Sequence, residues 1–300
     1  MPVYNAGNYL RASIESILGQ SQGDFEFLIF NDASTDNSLD IIKSYNDSRI
    51  KIIDSPVNTG YLKHLNHGLQ LARGKYIARM DADDISLPQR FEEQVKYLRQ
   101  NPSVKIVGSY ITVFAEQAGD IKIIKYPTLP GKIKWHAIKG TPLAHPAVML
   151  DKKCLLQLEE FYKEEYYPSE DYEFWTRLLE KCNIGNIPQP LLKYRSHEMQ
   201  TSSVKAELQK KNAMRIKKHY IRSLFNIRSE KLAEEIYLLF NNPSLLKFAQ
   251  FYCVAAFITG KALLTRGIDK KSLLLYIQKA AKTKVARVIK KHKAPAAQVL

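Results

Sequence analysis

The sequence predicts an α/β chain: a mostly parallel, mixed central sheet flanked by helices, followed by a C-terminal region that is helical throughout. Three observations carry this. In the first 80 residues short apolar runs alternate with amphipathic segments, each joined by a brief polar loop, the pattern of a parallel sheet with right-handed crossovers. Beyond Pro102 the alternation gives way to adjacent strand-like runs around the Ala118-Gly119-Asp120 turn, so the sheet becomes mixed. From about Ser202 onward nearly every segment reads as helix, with apolar residues set among Lys and Arg.

Charge divides the chain at the same place. Residues 1–200 hold 24 Lys/Arg against 25 Asp/Glu, a net of −1, whereas residues 201–300 hold 21 against 5, a net of +16. A break this sharp predicts two units with different partners, residues 1–201 and 202–300. Cys154, Cys182 and Cys253 are too few and too scattered for a zinc site or a disulfide framework, which fits a reducing, cytoplasmic setting. The longest uncharged run, Phe248 to Gly260, spans 13 residues, short of the roughly 20 that cross a bilayer.

Pro2, Val3, Tyr4 and Asn5 lead into a helix with Leu10, Ile14, Ile17 and Leu18 at helical spacing. Phe25 to Phe30 is a buried-strand run ending in the polar turn Asn31 to Asp36, and a helix through Leu39, Ile42 and Tyr45 follows. Arg49 to Asp54 is the next strand. Pro56 to Gly60 is a loop, and a helix from Tyr61 carries Leu62, Leu65, Leu69 and Ala72 on one face before a C-cap at Gly74. Tyr76 to Met80 is the central strand. Strands follow at Val104 to Phe114, Ile121 to Tyr126, Ala147 to Leu150 and Leu191 to Tyr194, with a helix opened by Glu170-Asp171 between the last two.

The chemistry concentrates where the central strand ends. Asp81, Asp83 and Asp84 follow it directly, and extended backbone would send Asp81 and Asp83 to the same side. Two carboxylates sharing one space repel until one takes a proton or a hard divalent cation, Mg2+ or Mn2+, joins them. Ser86 with Gln89 forms a capping box for a helix with Phe91, Val95 and Leu98 inward. The acidic tip then lies between a strand end and a helix start, where open α/β sheets bind ligands. An acidic surface turn is the alternative.

The segments PVYN, NDASTD, N-x-G followed by ARGKY and MDADD, HPAVM, EDYEFW and YRSHEMQTS, in this order from Pro2 to about Ser203, resemble the family 2 glycosyltransferases. That resemblance implies the GT-A nucleotide-sugar-binding fold and inverting, metal-dependent transfer of a hexosyl group, as in bacterial surface-polysaccharide enzymes. It implies that Pro2, Tyr4 and Asn5 lie beside the nucleotide base, that Asp32 hydrogen-bonds it, usually as uracil, and that Asp81 lies near the ribose and diphosphate. It also implies Asp83 as direct metal ligand, His197 near the metal or diphosphate, Asp171 as catalytic base and Glu170 beside it on the acceptor side. Members of the family carry apolar residues before the PVYN segment that form a first strand. Here Met1 stands immediately before Pro2, so a truncated start is expected, and a missing interior strand would uncover its neighbours.

The alternatives to these roles are a turn for Asp32, a helix cap for Asp171, and a satisfied polar residue for His197 or His145. Trp175 on its amphipathic helix reads as core in preference to a sugar platform. For the basic C-terminal region the readings are contact with an anionic membrane surface, a partner dock or a solvated appendage, and nucleic acid is excluded for want of any binding motif. At the level of activity, a nucleotide-sugar donor and a carbohydrate or lipid-linked glycan acceptor are expected. A sugar-phosphate nucleotidyltransferase would need a Gly-rich basic phosphate loop, which is missing. A module that binds nucleotide sugar without turnover is the third alternative.

Overall fold

The computed structural model describes residues 1–197, 200, 204–242, 246, 248–264, 269, 271, 273–278 and 280–281. In order, the elements are β1 (Pro2–Val3), α1 (Gly7–Leu18), β2 (Phe27–Asp32), α2 (Ser38–Lys43), β3 (Ile50–Ser55), α3 (Tyr61–Leu71), β4 (Tyr76–Ala78), β5 (Ile85–Ser86), α4 (Arg90–Gln100), β6 (Val104–Ala115), β7 (Gly119–Ile124), α5 (Pro130–His136), β8 (Met149–Asp151), α6 (Glu170–Lys181) and β9 (Asn183–Arg195). The helices α7 (Ala206–Leu224), α8 (Glu230–Asn241) and α9 (Phe248–Leu264) follow. The sequence of this region also reads as an apolar stripe of Leu245, Phe248, Phe251, Tyr252, Ala255 and Ile258 and a cationic run from Lys279 to Lys293. Ala255 and Ile258 are buried in α9, whereas Leu245, the side chains of Phe248, Phe251 and Tyr252 and most of the cationic run fall outside the described residues.

The strands form two sheets. In the first, β1, β2 and β3 pair in parallel. In the second the order is β4-β8-β6-β9-β5, with β7 on the outer half of β6, and only the β6–β9 pair is parallel. This corrects the expectation that β4 continues the parallel sheet. β1 reaches only two residues along β2, and beyond it β2 and β4 are separated by a cavity of about 690 Å3 lined by Leu28, Phe30, His64, Ile77, Arg79 and Tyr162. β4 pairs instead with β8.

Neighbouring residues of one strand face opposite sides of a sheet, and the second sheet uses both. Ile106 and Leu150 join a core with Leu65, Trp135, Phe174, Trp175, Tyr220 and Ile236. Val107 and Met149 join the other, with Leu10, Ile14, Ile29, Ile42 and Phe91. Trp175 is fully buried, as its place on an amphipathic helix predicts. The C-terminal helices enter the first core and hold the segment before α6. Asn212 donates to the carbonyls of Tyr166 (3.1 Å) and Tyr167 (2.8 Å), and Gln209 to that of Pro168 (3.1 Å).

Two local expectations fail, that for Ser86 because long-range pairing overrides local propensity. Ser86 does not cap α4. It lies in β5, paired with Leu192 of β9, its amide bound to Ser16 and its hydroxyl to Gln20; the N-cap is Gln89, without a side-chain bond. Helix α3 ends at Leu71 with Ala72 as cap, ahead of Gly74. By contrast the Asn31 to Asp36 turn caps as its residue types suggest. Asp36 accepts the Ser38 and Gly7 amides, both at 2.9 Å, so one carboxylate pins the starts of α2 and α1.

Candidate active site

The backbone leaves β4 at Ala78 and turns through Asp81 to Asp84, so the carboxylates meet because the chain bends, in place of the extended geometry expected from alternation. Ser13 of α1 fastens the bend by donating to the carbonyls of Ala82 (2.8 Å) and Asp84 (2.7 Å). One oxygen from each of Asp81, Asp83 and Asp84 lies within 4.8 Å of the others. Each has its own support. Arg79 pairs with Asp81, His197 Nε2 lies 3.0 Å from Asp83 Oδ2, and the Arg195 amide donates to Asp84 Oδ1 at 2.9 Å. The Arg195 guanidinium, between the rings of Tyr9 (4.6 Å) and Phe114 (4.5 Å), donates to the Asp83 carbonyl at 2.7 Å.

This support leaves the cluster short of positive charge. Burial raises Asp81 against the pull of Arg79, and burial with the charges of Asp81 and Asp83 raises Asp84 well above the ordinary carboxylate range. Asp84 Oδ2 is buried without a partner. An all-oxygen set with an orphaned buried acceptor, and a histidine beside Asp83, fits a hard divalent cation.

A second acidic pair opens α6. Glu170 is 3% exposed; its Oε1 accepts the Tyr61 hydroxyl, and its Oε2 is buried without a partner. Asp171 is partly open to solvent and accepts the Tyr172 amide at 2.7 Å. That bond serves the helix start, so the capping alternative is met in part, although the cap position itself is Ser169. Burial, then the Asp171 charge, pushes Glu170 up to about 7. Burial pushes Asp171 up to about 6, against the Tyr172 amide and Arg79. Arg79 thus acts on both acidic groups while paired to Asp81.

On the far side of the cavity, Asp32 is buried and engaged by its own chain. It accepts the Thr59 amide (2.7 Å) and the Gly60 amide (2.9 Å), and His64 Nε2 lies 2.8 Å away. Burial opposes ionisation there, but the Thr59 amide, His64 and the Gly60 amide together hold Asp32 below its ordinary value. Gly60 turns the chain at φ +87°, conformational space that suits glycine. Asn58, the Asn of the N-x-G segment, donates to the Asp32 carbonyl at 3.2 Å.

Of the predicted residues, Asp81, Asp83 and His197 therefore meet directly. Glu170 and Asp171 are tied to them through Arg79, and Asp32 through the Asn58 to Tyr61 segment. Pro2 pairs with Phe30, Tyr4 is exposed, and Asn5 accepts the Thr35 amide at 2.8 Å; none of these contacts reaches the acidic turn. His145 is buried against Tyr162 (2.8 Å), and burial, then Arg79, depresses it well below its usual value, as befits a satisfied core histidine. Arg79, Tyr61, Tyr9 and Arg195 carry no assigned role in the sequence reading. The one available signal was Arg79, a lone charge inside the apolar run YIARM.

Comparison with known proteins adds a second line of observation. The family model described as Glycosyl transferase family 2 matches residues 1–151. An uncharacterized glycosyltransferase of Haemophilus influenzae is 34% identical over 254 residues, covering 81% of this chain and 77% of the relative. The O-antigen biosynthesis glycosyltransferase WbnJ of Escherichia coli is 36% identical over 210 residues, covering 67% and 80%. Among solved structures, S. aureus TarS 1–349 in complex with UDP-GlcNAc superposes with a TM-score of 0.62 at 16% identity, covering all of this chain and 93% of that one.

Proposed function

Since this chain belongs to glycosyl transferase family 2 and is a glycosyltransferase with the GT-A fold, we propose that it transfers a sugar from a nucleotide donor, UDP-linked, to a glycan or lipid-linked glycan acceptor with inversion. One observation carries the reading: two acidic groups, each with a buried carboxylate oxygen left without a partner, one built like a cation site and one raised toward neutrality, share a single arginine. The solved TarS complex holds UDP-GlcNAc, and WbnJ acts in O-antigen biosynthesis; both support a UDP-sugar and a surface-glycan acceptor here. Family membership removes the nucleotidyltransferase alternative.

Asp83 and His197 would hold a Mn2+ or Mg2+ ion, with Asp81 beside the ribose and diphosphate; the ion would supply charge stabilisation for the departing diphosphate. Asp32 and the Pro2, Tyr4 and Asn5 segment face the base. Asp171 accepts the proton of the acceptor hydroxyl as that oxygen bonds to the anomeric carbon, and the bond to the diphosphate breaks with its electron pair leaving on oxygen. Attack from the face opposite the diphosphate inverts the configuration. Glu170 holds the acceptor through its free oxygen.

Residues 1–201 serve as the transfer unit. The basic region 202–300 is assigned to an anionic membrane surface on the charge argument alone, with net +16 and an apolar α9. No helix among the described residues is long and apolar enough to cross a membrane. Donor hydrolysis and transfer, followed across UDP-, GDP- and dTDP-sugars with Mn2+, test the central claim. Asp171→Asn distinguishes an enzyme, which keeps UDP binding and loses turnover, from a binding module with nothing to lose. Co-sedimentation with phosphatidylglycerol vesicles tests the membrane assignment; equal recovery on neutral vesicles would defeat it.

A further inference from the structure

Helix α3 begins at Tyr61, immediately after the loop that hangs from Asp32. The Tyr61 hydroxyl donates to Glu170 Oε1, and its ring lies 5.7 Å from that of Tyr167 at 58°. Lys205 Nζ sits 4.3 Å from the Tyr167 ring. Tyr61 is thus braced from behind by an aromatic neighbour and fixed in front to a loop with two amides on a buried carboxylate. Glu170 has one oxygen taken and the other buried and free, next to Asp171. A carboxylate held by one oxygen cannot turn, so whatever fixes Oε1 decides where Oε2 points.

Resting on the glycosyl-transfer reading above, we infer that Tyr61 is a positioning residue for that reaction: its hydroxyl aims the free oxygen of Glu170 at the acceptor hydroxyl that Asp171 deprotonates. The groups facing Glu170 are Tyr61 from α3, Arg79 at the end of β4, Tyr162 from the loop before α6, and Asp171 on its own helix. Of these, Asp171 disfavours the ionised form, while Tyr61 and Arg79 favour it.

Tyr61→Phe keeps the ring and removes only the hydroxyl. With the donor sugar nucleotide that the unsubstituted chain hydrolyses fastest, the expected result is a fall in kcat of about tenfold, smaller than the loss of a base itself. UDP affinity measured with Mn2+ by calorimetry should stay within about twofold, so that the loss falls on kcat and not on donor binding. In a Glu170→Gln background the same substitution should cost no further activity, because the two act as a unit. An unchanged kcat in Tyr61→Phe, a loss expressed wholly as weaker UDP binding, or additive losses in the double variant would each overturn the inference and leave the glycosyl-transfer reading intact. No turnover of any donor by the unsubstituted chain would defeat that reading, and this inference with it.

Discussion

The two acidic groups of the site contain the same side-chain chemistry in opposite settings. The turn Asp81 to Asp84 is ringed by Arg79, Arg195 and His197, with carbonyls and amides fixed around it. The pair at the start of α6 has a phenol, a backbone amide and a cation acting on it only from across the site. Three carboxyls among fixed dipoles suit a metal; two held by a phenol and a single amide suit a proton. Environment, more than residue identity, separates a ligand set from a base.

Amide substitutions should break this contrast most sharply. Asp171→Asn is expected to lower kcat by ~10²–10⁴ with UDP binding retained, whereas Asp83→Asn should weaken Mn2+-dependent UDP binding, read by calorimetry with and without the ion. Next is pH. Asp171 must be ionised to accept a proton, so activity should fall roughly tenfold per unit as pH drops below about 6, a rate profile at fixed Mn2+ being the check. Third, Arg79→Met removes the charge shared by both groups. It should cost about 2 kcal/mol in urea denaturation, below the usual figure for a fully buried pair because Asp81 is partly exposed, and should move the acid limb upward.

The last effect runs the other way. The folded pKa of Glu170 lies above its ordinary value, so the folded chain binds the extra proton, and stability is lost as pH rises from about 4.5 through about 7. Glu170→Gln should therefore stabilise the protein by about 1–3 kcal/mol at pH 8 and hardly at all at pH 4, by denaturation at both values.

Much of this site was legible in the residues. Asp83, Asp171 and His197 stand in short segments whose spacing survives folding, and helices α1, α3 and α6 follow apolar periodicity. What sequence concealed is whatever depends on a distant partner. Ser86 looks like a cap until β9 pairs with it, Tyr61 looks like an ordinary first helical residue until Glu170 arrives 109 positions later, and Arg79 gains meaning only when α6 packs across the sheet. The approach of β4 to the parallel strands failed for a similar reason, since hydrogen-bond partners are chosen by neighbours in space.

Strand β9 leaves α6 after a single residue and ends two residues before His197. It carries Pro188 and Pro190 where its register with β6 slips, an irregularity that prolines in a sheet interior require. Side chains change faces with every residue, so parity along this ribbon dictates which way Arg195 looks. A single-codon deletion between the prolines and Leu192 would turn its guanidinium away from Asp83 and unfasten the acidic turn. Length polymorphism should accordingly be forbidden here, and in the Glu116-Gln117 hairpin turn as well, since Glu116 pairs with the same guanidinium.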